Sequence, residues 1–228
     1  MVQYKTFDLG PFALQKGTVL PDAKIVYATV GRLNDAKDNA VLVPTWGSGS
    51  PEDVVGLLIG TARALNPEKY FIVIPNHFGG GFSSSPNNYT PPFEKGRFPR
   101  VTTYDNVNAQ RRLLVEAFGI TSLRLVTGWS MGAMAAYHWA ALFSDSVRAI
   151  VPIGGSARRY VQQGISGGYS QRHRVRSGLE QWLLWRHAAD TRPKAICTGL
   201  CRLGVFRTVL SSGGVQSSLR RVLRRRVH

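Results

Sequence analysis

Five residues, Gly128-Trp129-Ser130-Met131-Gly132, constrain this chain more than any other stretch because of what flanks them. A strand-like run, Leu123-Arg124-Leu125-Val126-Thr127, leads in, and a helix-like run over 133–143 leads out. A serine between two glycines at such a junction can form a nucleophile elbow. The small residues let the backbone turn sharply, lifting the Ser130 hydroxyl out of the sheet, and the neighbouring N–H groups are free to face a developing oxyanion. An ordinary glycine-rich turn is the competing reading of G-x-S-x-G, and the strand before and helix after weigh against it.

An elbow needs a sheet to rise from. Apolar or alternating runs at 24–30, 40–44, 70–75, 123–127 and 147–153 predict strands, and 54–65 and 104–118 carry helical spacing, stopped by Asn66-Pro67 and Gly119. Short apolar strands separated by helices predict an α/β fold, a mostly parallel sheet covered by helices on both faces. The stretch 76–103, rich in Gly, Ser, Pro and Asn, reads as a functional loop at the strand ends. Within it Gly79-Gly80-Gly81 and the serines that follow suggest a phosphate cradle, but the P-loop lysine and spacing are missing, so a mobile loop beside a pocket is expected.

Composition divides the chain near Ala157. Residues 1–156 hold 14 Lys and Arg against 11 Asp and Glu, whereas the remaining 72 residues hold 15 against 2. An arginine-rich tail of this kind suggests nucleic acid or an anionic membrane only if it is a folded, selected segment. No run of 18 apolar residues exists and the first residues lack the apolar stretch of a secretory signal, so a cytoplasmic protein without a membrane partner is expected. Cys197 and Cys201, with no cysteine or histidine cluster nearby, make a poor metal site, and no metal or bound cofactor is expected.

Several segments carry a family resemblance. T-T-Y-D-N-V at 102–107, Q-R-R-L-L at 110–114 and the elbow as V-T-G-W-S-M-G-A-M-A-A-Y-H-W-A resemble the homoserine O-acetyltransferase-like branch of the α/β-hydrolase fold. P-T-W-G-S-G at 44–49, I-P-N-H-F-G-G-G-F-S-S-S-P at 74–86 and P-I-G-G-S-A at 152–157 are also similar. The resemblance covers residues 1 to about 157. It implies an acyltransferase or hydrolase that passes an acyl group from an ester or thioester, such as acetyl-CoA, through a serine to a hydroxyl acceptor or water. It also allows a homodimer in the intact family. The acetyltransferases proper read H-A-L-T-G and G-G-S-M-G-G where this chain has P-T-W-G-S and G-W-S-M-G-A, so the resemblance specifies the branch more closely than the acceptor.

From residue 157 onward the likeness stops as the sequence is written. Permitted codons for 160–170, read one base out, give M-Y-N-K-V-F-L-E-G-I; the same offset can give G-Y-Y-G-D-T from 182–188 and L-K-P-F-A-R-V-Y-A-G-W-G-F from 193–206. All three resemble the family in order, so a single frameshift between about residues 157 and 160 is expected. On that reading, residues 1–157 are the N-terminal part of the α/β-hydrolase domain, cut off after the strand that follows the elbow helix. Residues 158–228 are then an out-of-frame, poorly ordered tail. The alternative is a noncatalytic α/β module whose basic tail binds nucleic acid through its phosphates.

Acyl transfer through serine needs a base, a carboxylate to orient it, and donors for the tetrahedral oxyanion. Ser130 is the catalytic candidate. Met131 is the first oxyanion donor, and the resemblance places a second on the loop at Thr45-Trp46. Trp129, Thr45 and His77 are pocket candidates, although Trp129 could equally fill the strand-to-helix junction and a structural role suits His77 better. His138 stands eight residues beyond Ser130, about 12 Å along the helix axis, and so cannot serve as its base. The carboxylates after Ser130 are Asp145, Glu180 and Asp190; none sits where an orienting Asp is expected, and His173 and His187 lie in the suspect tail. The chain as written is therefore expected to be inactive or nearly so.

Overall fold

The computed structural model describes residues 2–157. They form one six-stranded sheet in the order β1-β2-β4-β3-β5-β6, comprising β1 (Tyr4–Ala13), β2 (Val19–Val30), β3 (Ala40–Leu42), β4 (Phe71–Pro75), β5 (Leu125–Trp129) and β6 (Ile150–Ile153). From β4 to β6 every pairing is parallel, while β1 with β2 and β2 with β4 are antiparallel.

Alternation along the parallel strands sends neighbouring side chains to opposite cores. Ala40, Leu42, Phe71, Val73, Val126 and Ile150 join the cluster built on α2 (Thr103–Arg112) and α3 (Met131–Leu142), which supply Val107, Ala136 and Trp139. Val41, Val43, Ile72, Ile74, Leu125 and Val151 join the second cluster, with Val54 and Leu58 of α1 (Pro51–Leu58). Both faces are thus covered. This explains why these strands are nearly continuous apolar runs.

The strand ends shift by a few residues, β2 starting at Val19, and three elements depart further from expectation. β1 was not anticipated: its residues are mostly exposed, and its register with β2 shifts on either side of Gly10, which blurs the alternation. α1 starts and ends earlier than 54–65. Ser50 caps it with Asp53 in a reciprocal pair, Pro51 occupies the first turn, and Ile59 leaves the helix to bridge Leu65. The Arg63 side chain then folds back onto the Gly56 carbonyl. The helix expected over 104–118 is present, but its last turn, Leu113–Ala117, widens to π geometry. Among the described residues no helix is long and apolar enough to cross a membrane.

Candidate active site

Because β3, β4, β5 and β6 run parallel, their carboxyl ends share one edge of the sheet. The chain leaves β3 toward β4 on one side, while β5 lies on the other, which is the kind of switch point where α/β sheets open a crevice. Thr45, Asn76 and Ser130 all follow strands at this edge.

Ser130 holds the turn from β5 into α3 with φ 50° and ψ −109°, a conformation that costs an L-residue on the order of 1–3 kcal/mol. The surroundings enforce it. Its N–H donates to the Ile153 carbonyl at 2.9 Å, and its own carbonyl accepts from Met134 N–H at 3.1 Å. A Cβ on Gly128 would stand 2.7 Å from the Gly132 backbone, and one on Gly132 would stand 2.4 Å from the Pro44 carbonyl oxygen. On the β6 side, a Cβ on Gly155 would lie 2.6 Å from the Ser130 carbonyl oxygen. Ser130 is exposed and makes no side-chain cap to the helix. The hydroxyl is therefore not consumed by the fold, and the first α3 amides, Met131 among them, lack intrahelical acceptors by helix geometry.

The loop after β3 lies against this elbow. Thr45 is fully buried and donates its N–H to the Pro75 carbonyl at 3.1 Å. Trp46 and Gly49 close a tight turn through Gly49 N–H to the Trp46 carbonyl at 3.1 Å, and the indole covers Gly49 so closely that a Cβ there would be 2.5 Å from Cε2. Trp129 is half-buried against the α1-side core, and a Cβ on Gly154 would stand 3.7 Å from its indole.

His77 is 1% exposed. Burial pushes its imidazole down to about 4, against smaller opposing effects of the Thr45 backbone and the Asn106 side chain beside it, so the ring is neutral near neutral pH. Neither ring nitrogen attains hydrogen-bonding geometry with these neighbours or with any other described residue. His138 Nδ1 donates to the Met134 carbonyl one turn back in α3 at 3.0 Å, and burial lowers its pKa too.

The glycine-serine stretch is fastened to its surroundings by its serine side chains. Ser83, Ser84 and Ser85 are buried, and the first two fasten β2 where it runs past the end of β4. Ser83 Oγ accepts from Val26 N–H at 2.9 Å and donates to the Asn76 carbonyl at 2.8 Å, and Ser84 Oγ accepts from Lys24 N–H at 2.8 Å. Ser85 Oγ accepts from Gly81 N–H and donates to the Ser83 carbonyl. Asn106 Oδ1 ties Phe78 N–H to α2 at 2.7 Å. Sequence reasoning passed over Asn76, Asn106 and Gly155. The available signal was polar or glycine residues at the ends of buried strands, where a loop must be fastened.

Among the described residues no hydrogen bond joins Ser130 to a histidine, and the one carboxylate after it, Asp145, lies in the turn Ser144–Ser146. His173, His187, Glu180, Asp190, Cys197 and Cys201 lie outside the described residues, as do the suspected frameshift and the basic tail.

A model of the α/β-hydrolase fold family matches residues 41–188. The chain is 42% identical over 155 residues to an ethyl acetate hydrolase of Pseudomonas veronii, covering 68% of this chain and 44% of that protein. It is 37% identical over 154 residues to a homoserine O-acetyltransferase of Nostoc punctiforme, covering 65% and 43%. The solved structure of an acetylester hydrolase from Corynebacterium glutamicum superposes with a TM-score of 0.68 at 34% identity, over 97% of this chain and 68% of that one. The chain spans about half the length of the curated relatives it matches. The likeness to homoserine O-acetyltransferases therefore stands, with ester hydrolases matching at higher identity. An elbow raised at the carboxyl edge of a parallel sheet, a family match across most of the described strands, and a shared fold with an ester hydrolase lead to one conclusion: this chain belongs to the α/β-hydrolase fold family.

Proposed function

We propose that the chemistry of this protein is acyl transfer at Ser130, with an acyl ester as donor and water as acceptor, and with transfer from a thioester such as acetyl-CoA to a hydroxyl as the related reaction. The observation that carries this is the positive φ of Ser130, which holds an exposed hydroxyl, engaged in no cap to the helix, in a strained conformation. Similarity to ethyl acetate and acetylester hydrolases favours water and a short acyl group. In the reaction Ser130 Oγ attacks the acyl carbonyl and gives up its proton to a base. The resulting oxyanion is met by the amides of Met131 and Trp46. Collapse expels the alcohol with a proton, and water or a hydroxyl then resolves the acyl-serine.

We further propose that the chain as written turns over poorly. The described residues supply the nucleophile side of the site, and no sequence beyond 157 supplies a recognisable Asp and His as written. The test is to read the coding DNA past codon 157 in all three frames and to express both versions. The expected result is an open second-base frame encoding a downstream Asp and His, with p-nitrophenyl acetate hydrolysis that falls by about 10⁴-fold or more in Ser130→Ala. The uncorrected chain should match its own Ser130→Ala background. Stops throughout that frame would sink the frameshift reading. A folded, frame-restored protein without Ser130-dependent turnover would sink the acyl-transfer reading.

A further inference from the structure

We infer that Asn76 is a positioning residue for the oxyanion side of this site, an inference that rests on the reading of Ser130 as nucleophile. Asn76 is 1% exposed and follows directly on β4. Its Nδ2 donates to Thr45 Oγ1 and to the Gly49 carbonyl, each at 3.3 Å, so one carboxamide spans both ends of the turn that carries Trp46. Its Oδ1 accepts from Ser83 N–H at 3.4 Å. The amide has one workable orientation, since flipping it would set its oxygen against the Gly49 carbonyl and its NH₂ against the Ser83 N–H.

The residue is itself locked. Its backbone N–H donates to the Val26 carbonyl at 2.8 Å, its carbonyl accepts from Ser83 Oγ at 2.8 Å, and a Cβ on Gly80 would come within 2.7 Å of Oδ1. On the opposite side the turn is confined by the elbow, where a Cβ on Gly132 would meet the Pro44 and Thr45 carbonyl oxygens at 2.4 and 3.3 Å. The Thr45–Gly49 turn is thus held between a polar clamp and a glycine of the elbow helix. Where the Trp46 amide stands relative to Ser130 depends on both. The long bonds of the clamp are the weaker constraint, so they determine how much freedom the turn keeps.

The experiment compares the full chain with Asn76→Asp, which keeps the shape and removes the NH₂ donor, by hydrogen–deuterium exchange of peptides covering 43–50, with β5 peptides and the melting temperature as controls. Exchange over 45–49 should rise about tenfold while β5 stays protected. Thr45→Val, which deletes a single acceptor and adds no buried charge, should give a smaller rise confined to the same turn. It decides the matter if Asn76→Asp does not fold. Unchanged exchange in folded variants overturns the inference. Fluorophosphonate labelling of Ser130, read in parallel on frame-restored versions of wild type and variants, which supply the base that the chain as written lacks, separates the two claims. No label on wild type counts against the nucleophile reading and leaves the exchange result to judge Asn76. Equal labelling of wild type and a loosened variant overturns the positioning role.

Discussion

The elbow and the loop that follows β4 stand at the same sheet edge and are held by opposite means. Around Ser130 the backbone is fixed by exclusion, with Gly128, Gly132 and Gly155 each so close to other backbone that a single methyl would collide. Between Asn76 and Thr103 it is fixed by attachment, with the Ser83 and Ser84 hydroxyls bonded to β2 backbone, the Ser85 and Asn76 side chains bonded within and across loops, and Asn106 of α2 holding the Phe78 N–H. Exclusion gives geometry that does not relax, as a strained residue requires. Attachment gives geometry that depends on each donor and acceptor being present, and each loss leaves a buried partner unpaired.

The largest way to break the comparison is Gly132→Ala, whose Cβ would press on the Pro44 carbonyl at 2.4 Å. It should cost about 3–5 kcal/mol or prevent folding, measured by urea unfolding. Next comes pH, through His77 at the seam between the two regions. Its pKa, depressed by burial to about 4, lies below the ordinary value of 6.5, so the unfolded chain binds the extra proton first. Stability should be intact above about pH 6.5 and fall as pH drops toward 4, by up to about 3 kcal/mol in total. His138, also lowered by burial, adds to the same trend. His77→Gln should flatten the profile over that window, and a slope identical to wild type would locate the proton uptake elsewhere. On the attachment side, Ser83→Ala strands the Val26 N–H and the Asn76 carbonyl and should cost about 2–3 kcal/mol. The smallest effect has the opposite sign. Ser130→Gly relieves a positive φ and should stabilise the fold by about 1 kcal/mol while removing the hydroxyl.

Much of this was legible in the sequence because the informative residues are short-range. The elbow is five contiguous residues, and β3 to β6 are apolar runs buried on both faces. β1 escaped because an edge strand with one half-buried face and a bulge at Gly10 carries little periodicity. The end of α1 was misplaced because Ile59, Ala64 and Leu65, buried after the helix stops, serve a bridge and the core rather than a helical face. The start was readable in Ser50 and Asp53, a capping pair three residues apart. The anchoring role of Ser83 and Ser84 was not legible because their partners, Val26 and Lys24, are 57 and 60 residues away. Hydrogen bonds between distant segments have no local signature.

The mixed sheet also sets an order in time. β1 and β2 are joined by a turn closed by Leu14 and Thr18, so this ribbon can pair as soon as residue 30 has been made. The parallel centre cannot, since β3 must wait for β5 at residue 125 before its second edge is covered. At about 5–20 residues per second of synthesis, roughly 5–20 s separate the two events. Once β4 has been made and until β5 follows, β3 has a neighbour on one edge only, and a nascent chain delayed there presents an apolar strand edge to chaperones and to other copies of itself.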